Sequence, residues 1–545
     1  MKKTVKTLIG VACAAGLVAA SSSAAIAGTA ERFKGHMSLL ADDLLQGRDT
    51  GSIGHDFASL YIASELTKLG IAPAGDDGSY YQMVPFKQAT IDMKAPALSV
   101  SNGSETVEFA FMDNMLMSAN INDTDTQMTG ELVFAGFGIE APFLNYTDYD
   151  GVDLRGKVAV ILSDRPHSFP SEEGSHFRRQ ISQALVKHGA IGAIVLSTPV
   201  SENVFPFEKR KLYVRTPRTR WVDPNGEVFG GYPELKAGAT LSVEAGKQLF
   251  ELAGLDLQTY FDKVENGEPV EGRPLGLTAT FTSKANHTTT TSPNVIGILE
   301  GSDPTLKNEF IVLTAHSDHI GVSGHSVLKD KINNGAMDNA SGVSTLLEIA
   351  HAISHSDVKP KRSVIFAFVT GEEKGLLGSE YFAHYPPVPV QSMVANVNLD
   401  MPILTYRTDE MIAFGASHSS LEKPVREALL KHEIKLIDDP MPEQAIFVRS
   451  DQYSLVKQGV PAVYLVPGMD NKEENAIGMP ASDFLKKHYH MPSDDLNLPI
   501  DYEWAAKFVD INFEIVMSLA NGKQTPSWNE DSFFATFKQA QDGKQ

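Results

Sequence analysis

Cysteine is almost missing from this chain of 545 residues; the single one is Cys13. It lies in a leader-like stretch, MKKTVKTLIGVACAAGLVAASSSAAIAG. There Lys2, Lys3 and Lys6 precede a short apolar run, and Ala25-Ile26-Ala27 supplies the small residues of a cleavage site. We therefore expect a signal peptide over residues 1–27 and an exported protein, periplasmic or secreted, whose mature part has no disulfide. The apolar run is too short and interrupted for a membrane span. A lipid anchor on Cys13 is disfavoured, because little hydrophobic core precedes it. No stable membrane association is expected.

Positive charge is also scarce. There are 47 Lys and Arg against 68 Asp and Glu, a net charge of −21, or about −24 without the three leader lysines (−21 − 3). Such a balance argues against nucleic acid and anionic membranes as partners. It is compatible with binding hard or borderline metal cations through carboxylates. The length suggests more than one domain, and no internal repeat is visible.

Residues 29–72 carry helical periodicity, as in HDFASLYIASELTKLGI, after the loop-like LLQGRDTGSIG. Near residue 130 the character changes to short β-rich runs, ELVFAGFGI, KVAVILSD and AIGAIVLS, with a helix expected from Ser182 to His188. The Thr- and Ser-rich FTSKANHTTTTSPN reads as a linker. From Asn294 onward, apolar strands (NVIGILEG, EFIVLTAH, RSVIFAFVT, MVANVNLD, EMIAFGA, PAVYLVP) alternate with helical segments. That pattern predicts an α/β/α sandwich with a mostly parallel, mixed sheet covered on both faces. The segment DYEWAAKFVDINFEIVMSLAN should be a long closing helix, and the residues after 522 a polar, peripheral tail.

In open α/β sheets, ligands sit beyond the carboxyl ends of the strands. EFIVLTAH ends in His316, with Asp318 two residues on. RSVIFAFVTGEE ends in Glu372 and Glu373, and MVANVNLD in Asp400. A Gly-rich loop presents Asp338 just before a helix, and KKHYHMPSDD offers His490. Each has an ordinary explanation when taken singly; Asp338, for one, would be a helix cap. Together at one sheet edge they point to metal chemistry. Two imidazoles and three carboxylates suffice for two divalent ions if one carboxylate bridges them. If Glu373 is a ligand, Glu372 is left free to take a proton, with the chain turning at Gly371 and Gly375.

The ordered motifs HSDHIG, NGAMDNASGV, VTGEEKGLLGS, NLDM and YHMPSDD resemble those of the M28 family of zinc aminopeptidases and carboxypeptidases. The likeness covers 294–520 and the lead-in LLADDLLQGRDTGSIGHDF. The middle region, with GFGIEAPFLNYTDYDGVDLRGKVAVILSD, resembles a protease-associated (PA) domain. This implies a peptidase domain of the zinc exopeptidase fold over 28–115 and 281–522, a PA-like insert over 116–280 and a tail over 523–545. The resemblance further implies two zinc ions bridged by Asp338. His316 and Asp400 would complete one site, and Glu373 and His490 the other. Glu372 would be the general base acting on a metal-bridging water, and Asp318 would steady His316. The Asp338–Asn339 peptide bond is expected to be cis. Met337 and Met491 stand where relatives often carry polar residues.

Rival candidates exist. Glu348, His351 and His355 share a helical face but lack the Glu directly after the first His that a metal helix needs; a solvated or structural face is expected. His488 competes with His490, and His319 is expected to be a loop residue. Arg449, Ser450 and Asp451 precede a helix as a cap or as supports of the site. The function implied is an aminopeptidase acting on peptides. The alternatives are a carboxypeptidase or other amide hydrolase, for which Arg449 would have to hold a carboxylate, or a non-catalytic binding protein.

Overall fold

Runs of Val, Ile, Leu and Phe without a polar face make strands that must be covered on both sides. The computed structural model, which describes residues 28–324, 329–469 and 478–542, shows such strands. The expected signal peptide lies outside the described residues. Packing divides the chain into two units. The first comprises residues up to Val84, Thr291–Pro442 and Arg449 onward; the second comprises Pro85–Thr290 and Glu443–Val448.

The sheet of the first unit uses β1 (Arg273–Leu299, its last part), β2 (Phe310–His316), β3 (Ser363–Val369), β4 (Met393–Asn398), β5 (Glu410–Phe414), β6 (Lys435–Ile437) and β7 (Ala462–Pro467). Their spatial order is β1-β3-β2-β4-β7-β5-β6. The central β3, β2, β4 and β7 are mutually parallel, whereas β1 and β5 run antiparallel to their neighbours β3 and β7. Every residue of β3, β4 and β7 is buried. Helices α1 (Ile53–Lys68), α2 (Ser341–His355), α3 (Leu377–His384), α4 (Glu422–Lys431) and α5 (Tyr502–Asn521) accompany the strands. Ser52 caps α1 by accepting from the His55 amide at 3.3 Å. The expected mostly parallel, mixed sheet is what forms.

The second unit has a parallel core of Asp125–Phe134, Val158–Leu162, Gly192–Leu196 and Ala237–Leu241, with antiparallel strands beside it. Its helices include Ile181–Lys187, where a helix over 182–188 was expected.

Three expectations need correction. The second unit begins at Pro85 and runs to Thr290, where 116 and 280 were expected; Ala97–Ser101 pairs with Thr278–Thr282 and so belongs with it. The expected linker FTSKANHTTTTSPN lies within β1, because alternating β-branched Thr favours an extended, pleated chain. The tail is not peripheral: Trp528, Phe533 and Phe534 are buried and a helix spans Ala535–Asp542.

Candidate metal centre

Register brings the strand ends to one edge. His316 pairs with Val369, so Glu372 and Glu373 lie just past the end of β3. Thr314 pairs with Asn398, which sets Asp400 level with His316. Gly371 takes φ +66° and Gly375 φ +105°, the left-handed turns that lift the two glutamates out of the sheet. Gly378 is required by close approach, since a Cβ there would sit 2.0 Å from the Thr370 carbonyl oxygen.

Two adjoining donor groups result, and Asp338 is common to both: His316, Asp338 and Asp400 in one, and His319, Asp338 and Glu373 in the other. His316 Nε2 stands 3.1 Å from Asp400 Oδ1 and 3.4 Å from Asp338 Oδ1. His490 Nε2 stands 3.2 Å from both Asp338 Oδ2 and Glu373 Oε2. All five residues expected to bind metal are thus brought together. Burial and the Asp338 charge would raise Glu373, yet its histidine neighbours pull it down to about 2. Burial, reinforced by the Asp400, Glu373 and Asp451 charges and opposed by His316, holds Glu372 well above its ordinary value. Two consecutive glutamates are pushed in opposite directions.

His319 was expected to be a loop residue rather than a third histidine ligand; it does lie in a strand-end loop, but its side chain faces Asp338 and Glu373. The ring is fully buried, with Nδ1 2.7 Å from Glu373 Oε1 and 3.9 Å from Asp338 Oδ2. The first contact is misaligned for a hydrogen bond, so both ring nitrogens and Glu373 Oε1 lack a hydrogen-bonding partner. Buried polar atoms do not usually stay unsatisfied. Buried nitrogen and carboxylate oxygen atoms converging on one point are what a cation needs, and this donor set suits zinc. The residues present therefore fit a pair of divalent ions. The signal in the sequence was a second His directly after Asp318 in a strand-end loop.

Asp318 does not steady His316 through its carboxylate, which lies 3.9 Å from Nδ1. The Asp318 main-chain carbonyl accepts from Nδ1 at 3.1 Å instead, leaving Nε2 free to face the carboxylates. The carboxylate accepts from the Glu372 amide (3.2 Å) and the Thr50 hydroxyl (3.0 Å), so it holds the loop that carries Glu372.

Further supports surround these residues, some of them outside the expected set. The buried Arg48 guanidinium donates to the carbonyls of Leu40, Ser317, Asn334 and Gly335, clamping the loops that carry His316 and Asp338. Asp494, from the quoted PSDD run, accepts from the Met337 and Asp338 amides at 2.8 and 3.1 Å. Ser450 donates to Asp400 and accepts from Asn398, which fits the expected supporting role. The Asp338–Asn339 bond is cis. His488 is turned to Ser493, 2.9 Å away, and takes no part. Glu348 is occupied by Arg32 and His36, while His351 and His355 stack on each other at 4.2 Å. Arg449 is exposed.

Residues 294–516 match the sequence model of Peptidase family M28. The match takes in 223 of the 545 residues, including every strand-end residue of the site. The M28 region is also where curated relatives align. The probable leucine aminopeptidase 2 of Aspergillus oryzae is 29% identical over 217 residues, covering 38% of this chain and 40% of that protein. Its Aspergillus fumigatus counterpart is 30% identical over 216 residues, with the same coverage. The chain thus spans 40% of the length of these relatives. The aminopeptidase from Aneurinibacillus sp. strain AM-1 shares the fold, with a TM-score of 0.51 at 19% identity over 92% of this chain and 97% of that one.

Proposed function

We propose that this chain is an exported aminopeptidase of the M28 type that holds two zinc ions and removes N-terminal residues from peptides. The observation that carries the reading is the pair of donor groups sharing Asp338, with Glu372 adjoining but outside the ligand set. The leucine aminopeptidase names of the relatives favour the same activity.

His316 and Asp400 would hold one ion, Glu373 and His490 the other, and Asp338 both. When bound, the pair supplies Lewis-acid polarisation of the scissile carbonyl and acidifies water. The chain's own residues do the rest. Glu372, fixed by the Asp318 carboxylate through its amide, takes the proton of the attacking water and returns it to the leaving amine. The carboxylate-rich site also attracts the substrate's free ammonium group, which is the reason for preferring an aminopeptidase. We further infer that the second unit is a PA-like module that selects substrates; its deletion should alter the preference profile.

The test pairs metal analysis with a panel of aminoacyl and C-terminal peptide substrates. Glu372→Gln should lower turnover by about 10²–10⁴-fold while both metals stay bound. Retained turnover, or loss of metal on this substitution, overturns the assignment. Cleavage confined to C-terminal substrates would make the chain a carboxypeptidase. Export is checked separately, by N-terminal sequencing of the protein from the periplasm or medium.

A further inference from the structure

The second unit contains a cavity of about 340 Å³, lined entirely by its own residues. Its only charged lining residues are Arg218 and Lys236, in a chain whose net charge is −21. Arg218 opens the short strand Arg218–Trp221, which pairs antiparallel with Phe86–Ala89. Strand alternation buries Thr219 and Trp221 on one face and sets Arg218 and Arg220 on the other.

Among the described residues the Arg218 guanidinium has no hydrogen bond and no acidic partner. Burial, with the neighbouring Arg220 charge adding to it, lowers its pKa to about 10. A mostly buried, unpaired guanidinium is costly to maintain without a counter-group. Lys236 is only loosely engaged, 3.7 Å from Asp123. Asn120 and Asn122, also in the lining, are anchored by donating to the carbonyls of Lys236 and Gly231. They hold the loops that frame the cavity.

We propose that this cavity binds a small organic carboxylate, seated on Arg218 with Lys236 beside it. The guanidinium fork matches a carboxylate with two parallel hydrogen bonds. The cavity is far larger than an inorganic anion needs, and Leu116, Met117, Val195 and Leu235 give it apolar walls for a hydrocarbon body. An amino acid or the C-terminal residue of a peptide has this combination of carboxylate and apolar side chain.

The experiment is calorimetric titration of the full chain with N-acetylleucine, as a peptide C-terminus, with free leucine, and with inorganic phosphate. N-acetylleucine or leucine should saturate one site with a Kd of about 1 mM or tighter. Whichever binds more tightly names the source of the carboxylate. Arg218→Gln should weaken binding at least about tenfold, the loss of a charge-assisted bidentate pair. Glu372→Gln should leave it unchanged, as the cavity lies in the other unit. Circular dichroism checks that the Arg218 variant is folded. If it is not, Lys236→Gln at the cavity rim decides, with a several-fold weakening expected. The proposal is overturned by no saturable binding of either carboxylate, by binding of phosphate alone, or by unchanged affinity in the deciding variant.

Discussion

His319 Nδ1 and Glu373 Oε1 stand 2.7 Å apart, and neither atom has a hydrogen-bonding partner, which favours a ligand-like histidine over a packing one. If His319 shares in the second metal position, replacing it with Ala removes a donor or releases Glu373. Partners of metal ligands typically contribute 10–100-fold in affinity. We expect His319→Ala to weaken zinc binding by about that factor in competition with a chelating dye, with the His316 position still filled. Unchanged competition would reduce His319 to core packing. The residues that carry chemistry were legible because strand-end His, Asp and Glu have few ordinary uses in such numbers. Arg48 and Asp494 were not, because they act on main-chain groups. Arg48 holds four carbonyls and Asp494 two amides, and no spacing pattern encodes those partners.

At the level of elements, α2 shows how a metal-like pattern can be structural. Its Glu348 side chain is fully buried, with Arg32 Nη2 at 2.8 Å and His36 Nε2 at 3.2 Å, so it ties α2 to the helix over 28–40. Burial alone would raise the Glu348 pKa, but bonds from His36 and Arg32 overcome it and the net shift is downward. The unfolded chain therefore binds the proton more readily than the folded one. The stabilisation is present above the ordinary value of 4.5 and is lost as pH falls below it. Glu348→Gln should cost about 1.5–3 kcal/mol in urea unfolding at pH 7, the range for hydrogen bonds to a charged group. The gap from the wild type should narrow as pH falls below 4.5. A gap that stays constant with pH would mean that the charge is not what links the helices. The same scale explains the missed boundary: strand signals in 281–294 were masked by Thr and Ser, which serve turns and strands alike, and pairing with Thr126–Met128 on one side and Ala97–Leu98 on the other fixes the choice for Phe281–Ser283.

Across the whole molecule, composition misled most at the C-terminal end. The segment after 522 is rich in Lys, Gln, Asp and Ser, which suggests a solvated tail, yet three aromatic residues spaced through it reach the first unit's interior. Trp528 is 7% exposed, donates from Nε1 to the Gly459 carbonyl at 2.9 Å, and lies 5.7 Å from the Phe534 ring. Gly459 sits in the turn that delivers the chain to β7, at φ +83°, where a Cβ would come within 2.8 Å of Lys538. Asn529 and Ser527 add main-chain bonds to His418 and Ser420. The segment therefore closes over the turn into β7, a strand of the sheet that carries the metal residues. Trp528→Ala leaves both a cavity and an unpaired carbonyl. Core Trp truncations cost about 3–5 kcal/mol, and the variant should lose that much in urea unfolding, with zinc content unchanged in the folded protein. A surface-lying tail would give less than about 1 kcal/mol for the same change, the scale of ordinary exposed substitutions, and that result would remove the segment from the fold.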